Sequence, residues 1–188
     1  MIGPRLTGEL VALRPVETRD AGPLAIAVAD AETRRLTGTV ATFTEEGILQ
    51  WIESTTEAPD RVDFAMTSLM PLSDGSVSDQ CIGEIVINEI DHHVRSANLR
   101  LQSLPQYRGR GYGREAISLV MGYAFAPAPQ GLGLHRLSLE VLDINPRARM
   151  LYESLGFTQE GVLREAARDG DGWCDVIVMS VLEDDFTE

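Results

Sequence analysis

A mixed α/β fold is predicted for this chain, and three features predict it. Strand-like segments outnumber helical ones, hairpin patterns stand beside strand–helix–strand units, and no repeat or linker divides them. The 188 residues suit a single domain spanning 1–188. A chain of that length buries a sizeable core without disulfides or a structural metal.

The elements follow in order. Leu6 to Pro15 reads as a first strand, with Leu6, Leu10 and Ala12 on one face. From Thr18 the pattern turns helical, with Asp20 near the start and Leu24, Ala25, Val28 and Ala29 at helical spacing. Thr42-x-x-Glu45 has the form of a capping box, and Ile48, Leu49, Trp51 and Ile52 give the next helix an apolar side. Val62–Leu69 reads as a strand and Pro71–Asp79 as a polar loop. Cys81–Ile90 and Ala97–Leu104 form an antiparallel hairpin around Asp91-His92-His93.

In the second half, Gly111–Ala124 is a helix whose inward face is Ala116, Ile117, Val120, Met121 and Ala124. Arg136–Val141 alternates, with Leu137, Leu139 and Val141 on one side. Asn145-Pro146 opens a short helix that Gly156 stops. Phe157–Glu160 and Trp173–Leu182 are the final strands, around the turn Asp169–Gly172.

Charge and composition narrow the function. The net charge of −13 argues against phosphate-backbone binding and favours a cationic partner, so a nucleic-acid partner is not expected. The longest apolar stretch, Ala116–Pro129, is too short and too proline-marked to span a bilayer, and the first residues lack a signal peptide's apolar core. A cytoplasmic location and no membrane partner are expected. Cys81 and Cys174 sit far apart in strand-like stretches and read as buried reduced thiols. His92, His93 and His135 show no ligand spacing, so no metal is expected.

Arg108-Gly109-Arg110-Gly111-Tyr112-Gly113 follows a strand and opens a helix. A helix start leaves its first N–H groups without internal partners, and the aligned peptide dipoles add partial positive charge. Glycines let the backbone approach a diphosphate closely. Arg108, Arg110 and Arg114 would add charge beside it. Three readings compete: a plain glycine turn, a dinucleotide fingerprint and a coenzyme A cradle. The second rests on Gly111-x-Gly113-x-x-Ala116, but that motif lies after a hairpin rather than inside a βαβ unit. Glu140 and Asp143 stand too far on to serve as its acidic partner. No Gly-Lys-Ser/Thr follows, which excludes a P-loop.

Arg108-x-x-Gly111-x-Gly113 resembles the pyrophosphate motif of the GNAT superfamily of N-acetyltransferases. Ser103-Leu104-Pro105-Gln106-Tyr107 resembles the end of that family's splayed strand, whose backbone pairs with pantetheine. Asn145-x-x-Ala148-x-x-x-Tyr152-x-x-x-Gly156-Phe157 is similar to its second motif. Glu160-Gly161-x-Leu163-Arg164-Glu165, with Trp173, Asp175 and the early Leu13-Arg14-Pro15, is similar to the RimJ/RimL-like branch, named for ribosomal-protein N-terminal acetyltransferases.

The resemblance implies a mostly antiparallel central sheet with a splayed strand pair and flanking helices. It implies transfer of an acetyl group from acetyl-CoA, as co-substrate, to a primary amine on a small molecule or a protein N-terminus. The residues implied to hold the coenzyme are Ser103, Leu104, Arg108, Gly109, Arg110, Gly111, Tyr112, Gly113, Arg114 and Asn145. A homodimer is expected from the prevalence of twofold oligomers.

Acetyl transfer needs an uncharged amine, a polarised carbonyl and a proton for the leaving thiolate. Freeing the lone pair of a lysine-like amine at neutral pH costs about 4.6 kcal/mol, and that of an α-amine about 1.4 kcal/mol. A carboxylate can take that proton directly or through water, and a backbone N–H exposed by strand splaying can hold the carbonyl oxygen.

The resemblance places Tyr152 beside the coenzyme sulfur, as general acid. Asn145 binds the pantetheine arm, caps the helix, or both. RimL-like enzymes often carry Ser where this chain has Ala148, which shifts the acid role towards Tyr152. The base is assigned to Glu84, with Asn88 and Glu89 as alternatives on the same strand. Asn98, Arg100 and Asp175 are available to line the acceptor groove, and Trp51 and Trp173 read as core or rim aromatics. Two rivals stay open: a catalytically silent acyl-CoA-binding regulatory module and a nucleotide-dependent oxidoreductase.

Overall fold

The structure, a computed structural model, describes residues 1–186. The predicted first strand is two: β1 (Leu6–Thr7) and β2 (Val11–Pro15). The cause is Glu115, whose carboxylate accepts the backbone N–H groups of Glu9, Leu10 and Val11 at 2.8, 2.8 and 2.7 Å. Those bonds draw the connecting turn out of the ladder. Leu10 therefore lies in the turn, with Leu6 and Leu10 at the core margin, while Val11, Leu13 and the expected Ala12 are all buried, because both faces of β2 are covered.

Helix α1 (Ala21–Ala29) buries Ala21, Leu24 and Ala27, with Ala25 and Val28 at the margin. Sequence periodicity missed α2 (Ala31–Thr37), which has one apolar long side chain, Leu36, and is held by ion pairs. Helix α3 (Glu45–Thr55) is capped by Thr44, whose hydroxyl accepts from Gly47 N–H, two residues later than the expected Thr42. Strands β3 (Val62–Ser68), β4 (Cys81–Asp91) and β5 (Ser96–Ser103) follow as predicted, the last two as an antiparallel hairpin.

Helix α4 (Tyr112–Phe125) buries all five predicted inward residues. Strand β6 (Arg136–Leu142) leads to α5 (Pro146–Glu153), which Asn145 caps by accepting from Ala148 N–H at 3.2 Å. The helix ends at Glu153, and Gly156, at φ +95°, turns the chain three residues later. The next strand, β7, runs from Thr158 to Asp169, well beyond the expected Glu160. It lies at the sheet edge and is exposed along most of its length, so its sequence carries no apolar alternation. Strand β8 (Gly172–Leu182) completes the chain's regular strands.

The eight strands among the described residues form one sheet in the order β1-β2-β3-β4-β5-β6-β8-β7. Every neighbouring pair is antiparallel except β5–β6, which is parallel. That pattern is incompatible with the mostly parallel sheet of the dinucleotide reading. The parallel pair is brief: Ser96–Asn98 meets Arg136–Ser138, and pairing stops there. Beyond it β5 stays with β4, while β6 pairs along its whole length with β8. The sheet therefore divides into two halves that diverge, leaving a wedge between the ends of β5 and β6.

One sheet face packs under α4 and α5 around Phe64, Ile85, Leu99, Leu137, Leu139 and Met179. The other face packs under α1 and α3 through Ala65 and Cys81. Among the described residues no helix is long and apolar enough to cross a membrane.

Candidate active site

The wedge has a lining of backbone polar groups. Leu104 N–H donates to Ile82 C=O on β4 at 2.9 Å, and Leu104 C=O accepts from Tyr107 N–H at 3.0 Å. Both polar groups of Leu104 are thus engaged inside the chain. Successive residues of a paired strand point these groups alternately to the two sides. Leu101 and Ser103 therefore turn theirs towards the wedge, where no strand meets them.

At its open end the wedge meets the start of α4. Gly111 is the N-cap at φ +89°, and the first intrahelical bond runs from Glu115 N–H to Gly111 C=O at 3.2 Å. Among the described residues no side chain caps this end, which leaves the Tyr112, Gly113 and Arg114 amides for an anion. Gly109, at φ +76°, allows close approach of a cation: a Cβ there would lie 2.8 Å from Arg147 Nη2. The uncapped helix start and the guanidinium beside the turn fit a diphosphate.

The charged side chains around the cradle are arranged differently from the sequence-based expectation. Arg108 faces α2, where Nη2 donates to Asp30 Oδ2 at 2.7 Å and further bonds reach Glu32 and Thr33. Arg114 donates to the Ser154 hydroxyl and carbonyl, tying α4 to the end of α5. Arg110 stacks over Tyr107, 5.9 Å from the ring centre. Tyr112 turns its hydroxyl to Ser68 Oγ at 2.9 Å, so only its backbone faces the cradle. Arg147, absent from the sequence-based set, places its guanidinium against Gly109 with no ion-pair partner among the described residues. No motif marked it; only the folding of α5 back towards the glycine turn does.

Tyr152 lies on α5, packed against the core under the first sheet face and 5.8 Å from the Phe157 ring. Its hydroxyl has no hydrogen-bond partner among the described residues. Burial pushes it up to about 12, so it stays protonated at neutral pH. Glu84 lies on β4 between core residues Gly83 and Ile85, and so points to the opposite face. It stands directly across from Gln102 on β5 and Ala65 on β3. Gln102 Nε2 donates to Glu84 Oε1 at 2.7 Å, while Glu84 Oε2 is buried without a partner among the described residues. Burial, with the Asp63 charge nearby, pushes the Glu84 carboxyl up to about 7, against the opposing pulls of Gln102, Arg61 and Arg100.

The alternative acidic positions sit elsewhere. Glu89 is exposed at a left-handed bulge near the β4–β5 turn, beside the closed end of the wedge. Asn88 accepts from Asn98 Nδ2 at 3.2 Å, and Asp175 accepts from Glu165 N–H at 2.7 Å. These are bonds within the fold. Trp51 and Trp173 lie under Arg61 and Arg168 at 5.2 and 4.5 Å. Cys81 is buried, with its thiol pushed up to about 12 by burial, and Cys174 is buried and raised likewise. Neither offers an acyl-enzyme nucleophile.

A family model described as an acetyltransferase (GNAT) domain matches residues 11–158. The spermidine N(1)-acetyltransferase of Vibrio cholerae serotype O1 is 33% identical over 105 residues, 56% of this chain and 58% of that protein. The spermidine N(1)-acetyltransferase of Escherichia coli K12 is 33% identical over 111 residues, covering 53% and 58%. The match thus spans under two thirds of the length of these curated relatives. The crystal structure of spermidine N-acetyltransferase from Vibrio cholerae, in complex with CoA and spermine, superposes with a TM-score of 0.81. That likeness covers 93% of this chain and 96% of that one at 23% identity, and establishes the fold.

Proposed function

The chain belongs to the GNAT acetyltransferase family, and from that premise we propose that it transfers an acetyl group from acetyl-CoA to a small, positively charged primary amine of the polyamine type. One observation carries the reading. The wedge between β5 and β6 has an uncapped helix start at its mouth, with Tyr152 on one side of the sheet and Glu84 on the other.

Acetyl-CoA supplies the acetyl group as a thioester. The α4 amides, Gly109 and Gly111 suit its pyrophosphate, with Arg147 as the adjacent cation. The amides of Leu101 and Ser103 face the wedge and offer donors to the pantetheine arm and the carbonyl oxygen. Asn145 is committed to its helix cap through Oδ1, which leaves its Nδ2 free to donate.

The amine arrives from the Glu84 face as an ammonium ion. Glu84 takes its proton, directly or through one water, and the freed nitrogen attacks the acetyl carbon. As the new C–N bond forms and the C–S bond breaks, Tyr152 gives its proton to the departing sulfur. The surplus proton on the new amide nitrogen passes through water to the Tyr152 phenolate, and Glu84 releases the first proton to solvent. A carboxylate near 7 is matched to the base role, and a phenol kept protonated by burial has a proton to give.

The polyamine-type acceptor is supported by the names of the relatives and by the net charge of −13, which draws cations towards the chain. The RimJ/RimL-like tail supports a protein N-terminus as the competing acceptor. The test is a thiol-release assay with acetyl-CoA against spermidine, spermine, lysine and an unblocked N-terminal peptide. Turnover with the polyamines is expected. Turnover confined to the peptide overturns the acceptor class. Coenzyme binding with no acceptor turned over favours the silent module and overturns the activity.

A further inference from the structure

Around Glu84 the charges are unevenly committed. Asp63 on β3 is locked to Arg61, which donates through Nε at 2.9 and 2.8 Å and through Nη2 at 2.8 Å. Arg61 also stacks on Trp51, so its guanidinium is engaged by Asp63 and the indole and reaches Glu84 as a nearby charge without a hydrogen bond. Arg100, on β5, is exposed and makes no ion pair among the described residues. Cys81, earlier on β4, is a neutral thiol whose Sγ donates to Gly83 C=O at 3.1 Å. Ala65, the cross-strand neighbour on β3, has no side-chain donor. Gln102 is therefore the one side chain that hydrogen-bonds Glu84 among the described residues.

We propose that Gln102 is a positioning residue for acetyl transfer: its amide N–H holds Glu84 Oε1, fixes the carboxyl beside the wedge and reserves Oε2 as the oxygen that receives the substrate's proton. This rests on the reading of Glu84 as the base. The residue type fits the task. An arginine or lysine at position 102 would form a charge-assisted pair and stabilise the ionised carboxylate strongly, removing its basicity near neutral pH. An apolar residue would leave both oxygens without a donor, favour the protonated form and free the side chain to change rotamer. A neutral amide supplies one donor and no charge.

The cross-strand geometry makes the orientation inexpensive. Glu84 and Gln102 are directly paired, so their side chains leave the same sheet face side by side. Gln102 belongs to the strand that lines the wedge, and its two neighbours, Leu101 and Ser103, are the residues whose amides face it. A shift of β5 that opened or narrowed the wedge would therefore move the base with it.

The experiment is a pair of titrations on wild type and Gln102→Leu, with Gln102→Met as the volume-matched substitute where the leucine variant does not fold. Carbon-13 NMR of labelled glutamate carboxyls, with Glu84 assigned through Glu84→Gln, reads its midpoint without any turnover. The pH profile of kcat/KM reads the same group in catalysis. Loss of the N–H donor is expected to raise the Glu84 midpoint by roughly one pH unit. The acidic limb of kcat/KM should rise in step, with the loss concentrated in kcat. An unchanged Glu84 midpoint in both variants overturns the positioning role, whatever happens to the rate. A raised midpoint with an unmoved acidic limb overturns the assignment of Glu84 as base, and with it the catalytic meaning of Gln102.

Discussion

Arg108 and Asp30 meet across the mouth of the wedge, with Nη2 donating to Oδ2 at 2.7 Å. The bond joins the glycine turn to the start of α2. At the other end of α2, Arg35 donates to both carboxylate oxygens of Asp169 at 2.6 and 2.8 Å, reaching the β7–β8 turn. A seven-residue helix with little apolar surface is thus tied down at both ends, one tie on each half of the divided sheet.

Asp30 has two duties, since it also caps α2 by accepting from Thr33 N–H at 2.8 Å. Asp30→Ala should cost about 1–2 kcal/mol, from the lost cap and the lost ion pair. Asp30→Ser keeps a capping oxygen and should recover about 1 kcal/mol of that. Urea denaturation at neutral pH measures both. The Arg108 bond, followed by Thr33 N–H, holds the Asp30 carboxyl down to about 2, below its value in the unfolded chain. The stability it contributes is therefore present above pH 4 and lost as the pH falls towards 2. Asp30→Ser should show a shallower decline over that window.

Arg147 and Arg108 should separate in coenzyme binding. Arg147 rests on Gly109 without an ion pair among the described residues, whereas Arg108 is committed to Asp30 and Glu32. Arg147→Ala should weaken CoA binding by about tenfold, the scale of one exposed charge-assisted contact. Its effect should shrink at high salt. Isothermal titration at two ionic strengths checks this; an unaltered affinity would remove Arg147 from the cradle.

Glu84 makes the protein's stability depend on pH in the opposite sense to Asp30. Burial and the Asp63 charge raise its folded-state value to about 7, above that of an exposed glutamate. The protonated form fits the fold better, so stability is full below about pH 4 and falls as the pH rises through 7. Glu84→Gln mimics the protonated carboxyl. It should match wild type near pH 4 and exceed it by roughly 2–3 kcal/mol at pH 8, while kcat/KM drops about 10²–10⁴-fold. Denaturation at the two pH values, paired with the thiol assay, tests the trade.

What the sequence made legible was periodicity and motif spacing. The inward face of α4 and the alternation of Arg136–Val141 read directly, because each buries one face against a neighbour. Helix α2 and the far half of β7 did not, because charge pairing and an edge position hold them in place of apolar burial. Glu115 split the first strand through bonds reaching 104–106 residues along the chain, beyond any local pattern. The glycine turn was placed correctly at the start of α4, yet the orientations of Arg108, Tyr112 and Arg114 were set by Asp30, Ser68 and Ser154. Glu84 was visible as a carboxylate on a strand. Its partner Gln102 needed the β4–β5 register, which fixes who stands opposite whom.

The role of Tyr152 separates cleanly from its packing, because the phenol oxygen has no partner among the described residues while the ring contacts the core and Phe157. Tyr152→Phe keeps the ring and should change folding stability by less than about 0.5 kcal/mol. Loss of its proton should lower kcat by about 10²–10³-fold, and CoA affinity should stay within about twofold. Because burial holds the hydroxyl up to about 12, its own ionisation should produce no alkaline limb in the wild-type profile below about pH 10. Thiol release, isothermal titration and thermal unfolding on the one variant give the three readouts. A Tyr152→Phe enzyme that turns over at the wild-type rate would leave the ring with a packing role alone, and the proton for the leaving sulfur would have to come from another donor.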